Sequence, residues 1–199
     1  MQDFFRLNVT GSADADTLAL MQQPRCGMPD IASFVLALPG WSKAKLTYRI
    51  LNYTPDMEAA DVEAAIQRAF SVWSTVTPLT FTRIHQGKAD INIAFVTGEH
   101  GCCPRPFYGP QQALAHAFPP GAPFRGNVHF NEYYNWATDS VSFNLFLVAA
   151  HEIGHSLGLA HSGDPEALMF PYFKPTLSVD SPLNQDDIDG IQAIYGEEP

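Results

Sequence analysis

The sequence predicts one α+β domain with a short helical appendage at its N-terminal end. Three observations point there. Short runs that alternate apolar and polar residues, as half-buried strands do, recur through the first two thirds of the chain. Longer segments with apolar residues three and four apart follow the first of these runs and fill the C-terminal third. With 199 residues, 46% of them hydrophobic and 12% aromatic, the chain is long and apolar enough to bury a full core, which excludes wholesale disorder.

Residues 1–33 read as the appendage and residues 34–199 as the folded domain. Phe4 to Gly11 ends at a turn glycine, and Asp14 to Gln23 reads as a short helix with Leu18, Leu20 and Met21 as its apolar positions. Pro24 to Asp30 holds two prolines and a glycine and reads as an extended loop. Leu46 to Leu51 alternates as a strand. Glu58 to Val76 places Val62, Ile66, Phe70 and Trp73 on one helical face, and Pro78 follows its end. Leu79 to Ile84 and Asp90 to Val96 are further strands. Glu99 to Asn135 is rich in Pro and Gly, with short strand candidates at Ala113–Phe118 and Asn127–Asn131. A loop region of that length in a compact domain is either functional or pinned by something, such as metal ions. Phe143 to Leu159 and Leu183 to Tyr195 are the last two helices, the latter with Asn184, Asp186 and Asp187 where the macrodipole favours negative charge.

Lys and Arg number 11 against 21 Asp and Glu, a net charge of −10. A nucleic-acid partner is not expected, because few cations are present to neutralise phosphates. No apolar run is long enough to span a bilayer. Met1-Gln2-Asp3 has neither the basic start nor the apolar stretch of a secretory signal, so the chain is expected to begin inside a longer precursor. Three cysteines, Cys26, Cys102 and Cys103, leave at least one thiol free or bound to something other than a partner cysteine.

The decisive segment runs from His151 through Glu152 and His155 to Gly158 and His161. His151 and His155 are four apart, so on a helix both imidazoles project from one face and can share one zinc ion. Gly158 lets the backbone leave the helix with positive φ, which brings His161 round as a third ligand. Three protein ligands leave one position open for water, as a catalytic zinc requires. Glu152 is placed to take a proton from that water and pass it to a leaving amine. At average residue frequencies, a chance match to these five positions is on the order of one in 10⁴–10⁵, which sets aside an amphipathic helix with incidental histidines.

Met169, in Ala167-Leu168-Met169-Phe170-Pro171, follows this segment in the manner of a tight turn packed beneath the ligands. With it the sequence resembles the metzincin clan, and specifically the matrix metalloproteinases, over nearly the whole chain. Pro24-Arg25-Cys26-Gly27-Met28-Pro29-Asp30 resembles that family's cysteine switch, in which a propeptide thiolate takes the fourth zinc position. The resemblance implies a mixed, twisted five-stranded sheet with three helices, preceded by the end of a propeptide, and an Arg25–Asp30 pair that holds the switch loop. It implies a mature chain beginning near Phe34, whose freed amine pairs with Asp186 or Asp187. No Arg/Lys cluster precedes Phe34, so cleavage by another protease or by the chain itself is expected. With no large insert before the zinc helix and no room for a C-terminal propeller in these 199 residues, the chain is expected to resemble either the minimal, matrilysin-like members or a truncated longer one.

The same resemblance implies a second, structural zinc on His100, His116 and His129. The family's fourth ligand is an aspartate; here Cys102 stands in its place, with Cys103 as the alternative. Calcium is also implied, but its ligands are degraded: Tyr108, Asn127 and Asn131 stand where the family has aspartates and Tyr134 where it has a glutamate. Asp90 remains a candidate calcium ligand, and Glu132 a further one.

Substrate, by the same resemblance, lies extended along the strand that contains Leu114 and Ala115. An apolar pocket walled by Leu147, His151, Pro171 and Phe173 receives leucine, isoleucine or methionine after the scissile bond, with Lys174 to Pro182 as its outer loop. The expected protein is a secreted, extracellular, monomeric zymogen that cleaves matrix proteins such as collagen and is open to proteinaceous metalloproteinase inhibitors. Rival readings are an inactive binding module on the same fold and a metal-dependent amidase acting on small substrates.

Overall fold

The computed structural model describes residues 1–30, 40–101, 103–139 and 142–198. Its centre is a five-stranded sheet built from β1 (Lys45–Ile50), β2 (Thr80–Arg83), β3 (Ile91–Val96), β4 (Ala115–Ala117) and β5 (Asn127–Asn131), in the order β2-β1-β3-β5-β4. All pairs are parallel except β4 with β5. The sheet is therefore mixed, with its antiparallel strand at the edge. A pair of two-residue strands, β6 (Trp136–Ala137) and β7 (Phe143–Asn144), is too short to leave a sequence signature.

Helix α2 (Ala59–Ser74) buries Val62, Ala65, Ile66, Ala69, Phe70 and Trp73, the face expected from their spacing. It packs on α3 (Leu145–Leu157), and the Trp73 indole donates to the Ala150 carbonyl at 2.9 Å. Every residue of α3 is buried. Asn144 caps its start by accepting from the Leu147 N–H, and Gly158 ends it at φ 114, a left-handed turn. Gly154 sits where α3 meets the chain below: a Cβ there would lie 2.5 Å from Met169 Sδ and 2.9 Å from the Trp73 ring. No larger residue fits between α3 and the methionine beneath it.

Helix α4 (Gln185–Tyr195) begins with a capping box between Asn184 and Asp187. The buried Asp187 carboxylate also accepts from Leu168 N at 2.8 Å and Met169 N at 2.9 Å, so it ties α4 to the methionine turn. That use of Asp187 was not anticipated. Phe34, the expected start of the mature chain, lies outside the described residues.

The first helix, α1 (Ala15–Met21), is capped by Asp14. Of its three expected apolar anchors only Leu20 joins a cluster; Leu18 and Met21 are exposed. The docking residue is Phe5, buried edge-on against Phe170 and Tyr172 at centroid distances of 5.7 and 5.3 Å. An isolated aromatic carries no periodicity, which is why the pattern of α1 pointed elsewhere. Among the described residues, no helix is long and apolar enough to cross a membrane.

Candidate metal centre

Helix α3 delivers His151 and His155 one turn apart, and the turn at Gly158 returns His161 to face them. The ring centroids are 4.6 to 5.3 Å apart. Backbone carbonyls orient two of the rings. His151 Nδ1 donates to Leu168 O at 2.7 Å, and His155 Nδ1 donates to Leu159 O at 2.8 Å. Each ring therefore carries its proton on Nδ1 and presents a bare Nε2. These two bare nitrogens lie 3.2 Å apart. Two lone pairs aimed at each other in a buried site repel unless a cation lies between them. Neither nitrogen of His161 has a hydrogen-bond partner; Asp30 Oδ1 lies 3.2 Å from its Nδ1, in ion-pair range without directed geometry.

Cys26 completes the group: one donor atom from each of Cys26, His151, His155 and His161 lies within 4.8 Å of the other three, and all four residues are buried. Burial, followed by the neighbouring His161, depresses His151 to about 3, so the imidazole stays neutral. Burial also pushes the Cys26 thiol well up, with the Glu152 carboxylate adding to that effect. Three orphaned imidazole nitrogens and a sulfur form a donor set that suits a tetrahedral zinc ion.

Glu152 is fully buried beside this group, and neither carboxyl oxygen has a hydrogen-bond partner. Loss of hydration raises its pKa to about 8. Met169 is buried, with its Sδ against Gly154.

The segment carrying Cys26 lies between two backbones. On one side Leu114 N donates to Arg25 O and Gly27 N donates to Ala115 O, both at 2.8 Å. On the other, Cys26 N donates to Pro171 O at 2.8 Å and Phe173 N donates to Pro24 O at 2.9 Å. Residues 25 to 27 and 114 to 115 thus run in the same sense, while Arg25 and Tyr172 pair antiparallel. Arg25 binds both Asp30 oxygens, one at 3.0 Å, and lies over the Tyr172 ring. Arg105, which the sequence did not single out, donates from Nη1 to the Gly27 carbonyl. Beside His151 and Glu152 opens a pocket whose lining includes Leu114, Leu147, Pro171, Phe173, Lys174 and Leu177. Ala115 contributes its backbone to the strand edge and is not part of that lining.

A second group gathers His100, Cys103, His116 and His129, with donor atoms again within 4.8 Å. His116 and His129 face each other across the β4–β5 ladder, with His116 Nε2 and His129 Nδ1 3.0 Å apart. Cys103 Sγ lies 3.3 Å from His116 Nε2. His100 Nδ1 faces Gly98 O at 3.0 Å, and its buried Nε2 has no partner. Burial first, then the neighbouring imidazoles, depress His116 to about 2; the same two causes take His129 to about 4. This donor set also suits zinc. Cys102 lies outside the described residues; Cys103 is the cysteine found with the histidines.

Asp90 joins neither group. Its carboxylate is held by Lys43 at 2.8 Å and by Thr47 N and Oγ1 at 2.8 and 2.9 Å, so its oxygens already have partners and calcium is not needed to satisfy them. Glu132 accepts from Thr54 at 2.7 Å.

Residues 40–196 match the matrixin family of peptidases. The chain is 59% identical to matrix metalloproteinase-27 of Tupaia belangeri, over 100% of this chain and 39% of that protein. It is 58% identical to the interstitial collagenase of Oryctolagus cuniculus and 56% identical to the human neutrophil collagenase, each over 98% of this chain and 42% of the relative. The chain thus spans about two fifths of the length of these relatives. Through the sheet and the histidine-bearing helix alike, the chain belongs to the matrixin family of metallopeptidases.

Proposed function

We propose that the chain is a zinc endopeptidase held latent by its own N-terminal segment. The observation that carries this reading is Cys26 Sγ lying among the donor nitrogens of His151, His155 and His161. His151, His155 and His161 would hold the metal, with Cys26 as fourth ligand in the latent state. A zinc ion held there would supply the acidity of a bound water and the polarisation of a peptide carbonyl. Glu152, raised to about 8 by burial without a cation, would be returned to its carboxylate form by the charge of a bound zinc ion and by the water that enters when Cys26 leaves; it would then accept the proton and return it to the leaving amine.

Once the Cys26 segment leaves, Leu114 N–H and Ala115 C=O are freed to bind an extended peptide by strand addition. The pocket beside His151 takes an apolar side chain after the scissile bond: leucine, isoleucine or methionine. His100, His116 and His129, with a cysteine, would hold a second zinc, which would pin the long loop. Two of the relatives are named as collagenases, which supports matrix proteins as substrates. Secretion, a monomeric state and susceptibility to proteinaceous inhibitors belong to the same reading.

The test is cleavage of a quenched collagen-like peptide with leucine after the scissile bond. It is run before and after a mercurial that strips Cys26, with Glu152→Ala as control. Activity only after treatment, and only with Glu152 present, is the expected result. Silence in both states with zinc bound would replace the peptidase with a non-catalytic module. Activity before treatment would remove Cys26 from its proposed role.

A further inference from the structure

The long loop raises a question about calcium. The family resemblance implies carboxylates at positions 108, 131 and 134, which here are Tyr108, Asn131 and Tyr134. Calcium needs a shell of oxygens, most readily carboxylates and carbonyls turned toward one point. The described structure has such carbonyls but sets nitrogen and hydroxyl donors against them. Asn131 is fully buried, and its Nδ2 donates to Gly109 O at 3.1 Å and Ala113 O at 2.9 Å. Its Oδ1 accepts from Tyr133 N at 3.1 Å, which fixes the amide orientation: the nitrogen, not the oxygen, faces the two carbonyls. Tyr134 Oη donates to Gln112 O at 2.7 Å. Gln112 Oε1 in turn accepts from Tyr108 N at 2.6 Å. The Tyr108 ring is exposed, and its hydroxyl donates to Glu99 at 3.3 Å, which occupies that nearby carboxylate.

The residues present therefore do not fit a calcium ion at this point. An amide –NH₂ occupies the space where a cation would gather the Gly109 and Ala113 carbonyls, and among the described residues no metal-holding group of acidic side chains forms there. We propose that the turn from Tyr108 to Ala113 is held by the Asn131 amide and the Tyr134 hydroxyl, and that it keeps its shape without calcium. The turn leads directly into Leu114 and the edge strand, so the strand edge offered to an extended peptide is likewise independent of calcium. This holds whether or not the chain is a peptidase.

The test is hydrogen exchange on the full, zinc-loaded chain, read at Tyr108 and Tyr133, whose N–H groups bond within this network. Exchange is compared in millimolar calcium and in a calcium-selective chelator that leaves zinc in place. The expected wild-type result is no difference; slowing by calcium at these amides would overturn the proposal. The double substitution Asn131→Asp with Tyr134→Glu restores two carboxylates and should make exchange calcium-dependent. If it folds and stays insensitive, these two residues do not decide the matter and the proposal falls. Tyr134→Phe removes one oxygen and preserves the core. It should speed exchange at Tyr108 by roughly 2- to 10-fold, the effect of one net hydrogen bond, equally with and without calcium. An unchanged rate would show that the hydroxyl does not hold the turn.

Discussion

The two histidine clusters are built in opposite ways. In the first, one helix and the turn behind it supply three histidines, and Leu168 and Leu159 carbonyls aim two of the rings. In the second, a cross-strand pair on β4 and β5 meets two residues from an irregular loop. A helix carries its own geometry, so spacing alone specifies where its side chains point. A cross-strand pair depends on register and a loop depends on whatever pins it. The first cluster should therefore tolerate changes elsewhere in the domain, and the second should be sensitive to loss of any one donor.

The sharpest way to probe the helical cluster is Glu152→Ala. Peptide cleavage after mercurial treatment should fall by about 10²- to 10⁴-fold, the usual contribution of a general base, with zinc content unchanged. A loss of zinc instead would mean that Glu152 acts on the fold. Next in size, Asp187→Ala removes the acceptor for two backbone N–H groups beneath that cluster. Leaving those buried donors unpaired should cost about 2–5 kcal/mol in denaturant unfolding. A loss below about 1 kcal/mol would show that the methionine turn stands without α4.

For the loop cluster, Cys103→Ser should lower the zinc content from two ions toward one. In cobalt-substituted protein it should also remove one of two thiolate-to-metal charge-transfer contributions, Cys26→Ser removing the other. If Cys102→Ser does this and Cys103→Ser does not, the neighbouring cysteine is the ligand. The smallest expected effect joins the two regions. Arg105 follows Cys103 by two residues and donates to Gly27 of the Cys26 segment. Arg105→Ala should speed alkylation of Cys26, followed peptide by peptide, by roughly 2- to 10-fold, in line with one net hydrogen bond. No acceleration would confine the hold on Cys26 to its own segment.

This contrast also explains what could be read in advance. His151, His155, His161 and Cys26 stand in dense local patterns, and β5 spans the same residues in sequence and structure. The choice between Cys102 and Cys103 depends on one residue's offset in an irregular loop, which no periodicity encodes. Phe5 was missed as the anchor of the first helix because a single buried aromatic leaves no repeating trace. Gly154 carries no local signal because its meaning lies in the distance to Met169, 15 residues on. Asn131 was legible as a departure from the family, but only the structure gives its amide two carbonyls to hold.

The sense in which the Cys26 segment lies along its strand has one more consequence. Residues 25 to 27 advance in the same direction as residues 114 to 115, whereas the family resemblance has substrate advancing in the opposite one. A chain inserted tail-first matches the cleft's hydrogen-bonding needs but carries its amide bonds past the histidine cluster with reversed polarity. Under the proposed function, such an occupant would block the cleft without offering it a bond in the orientation that a substrate presents.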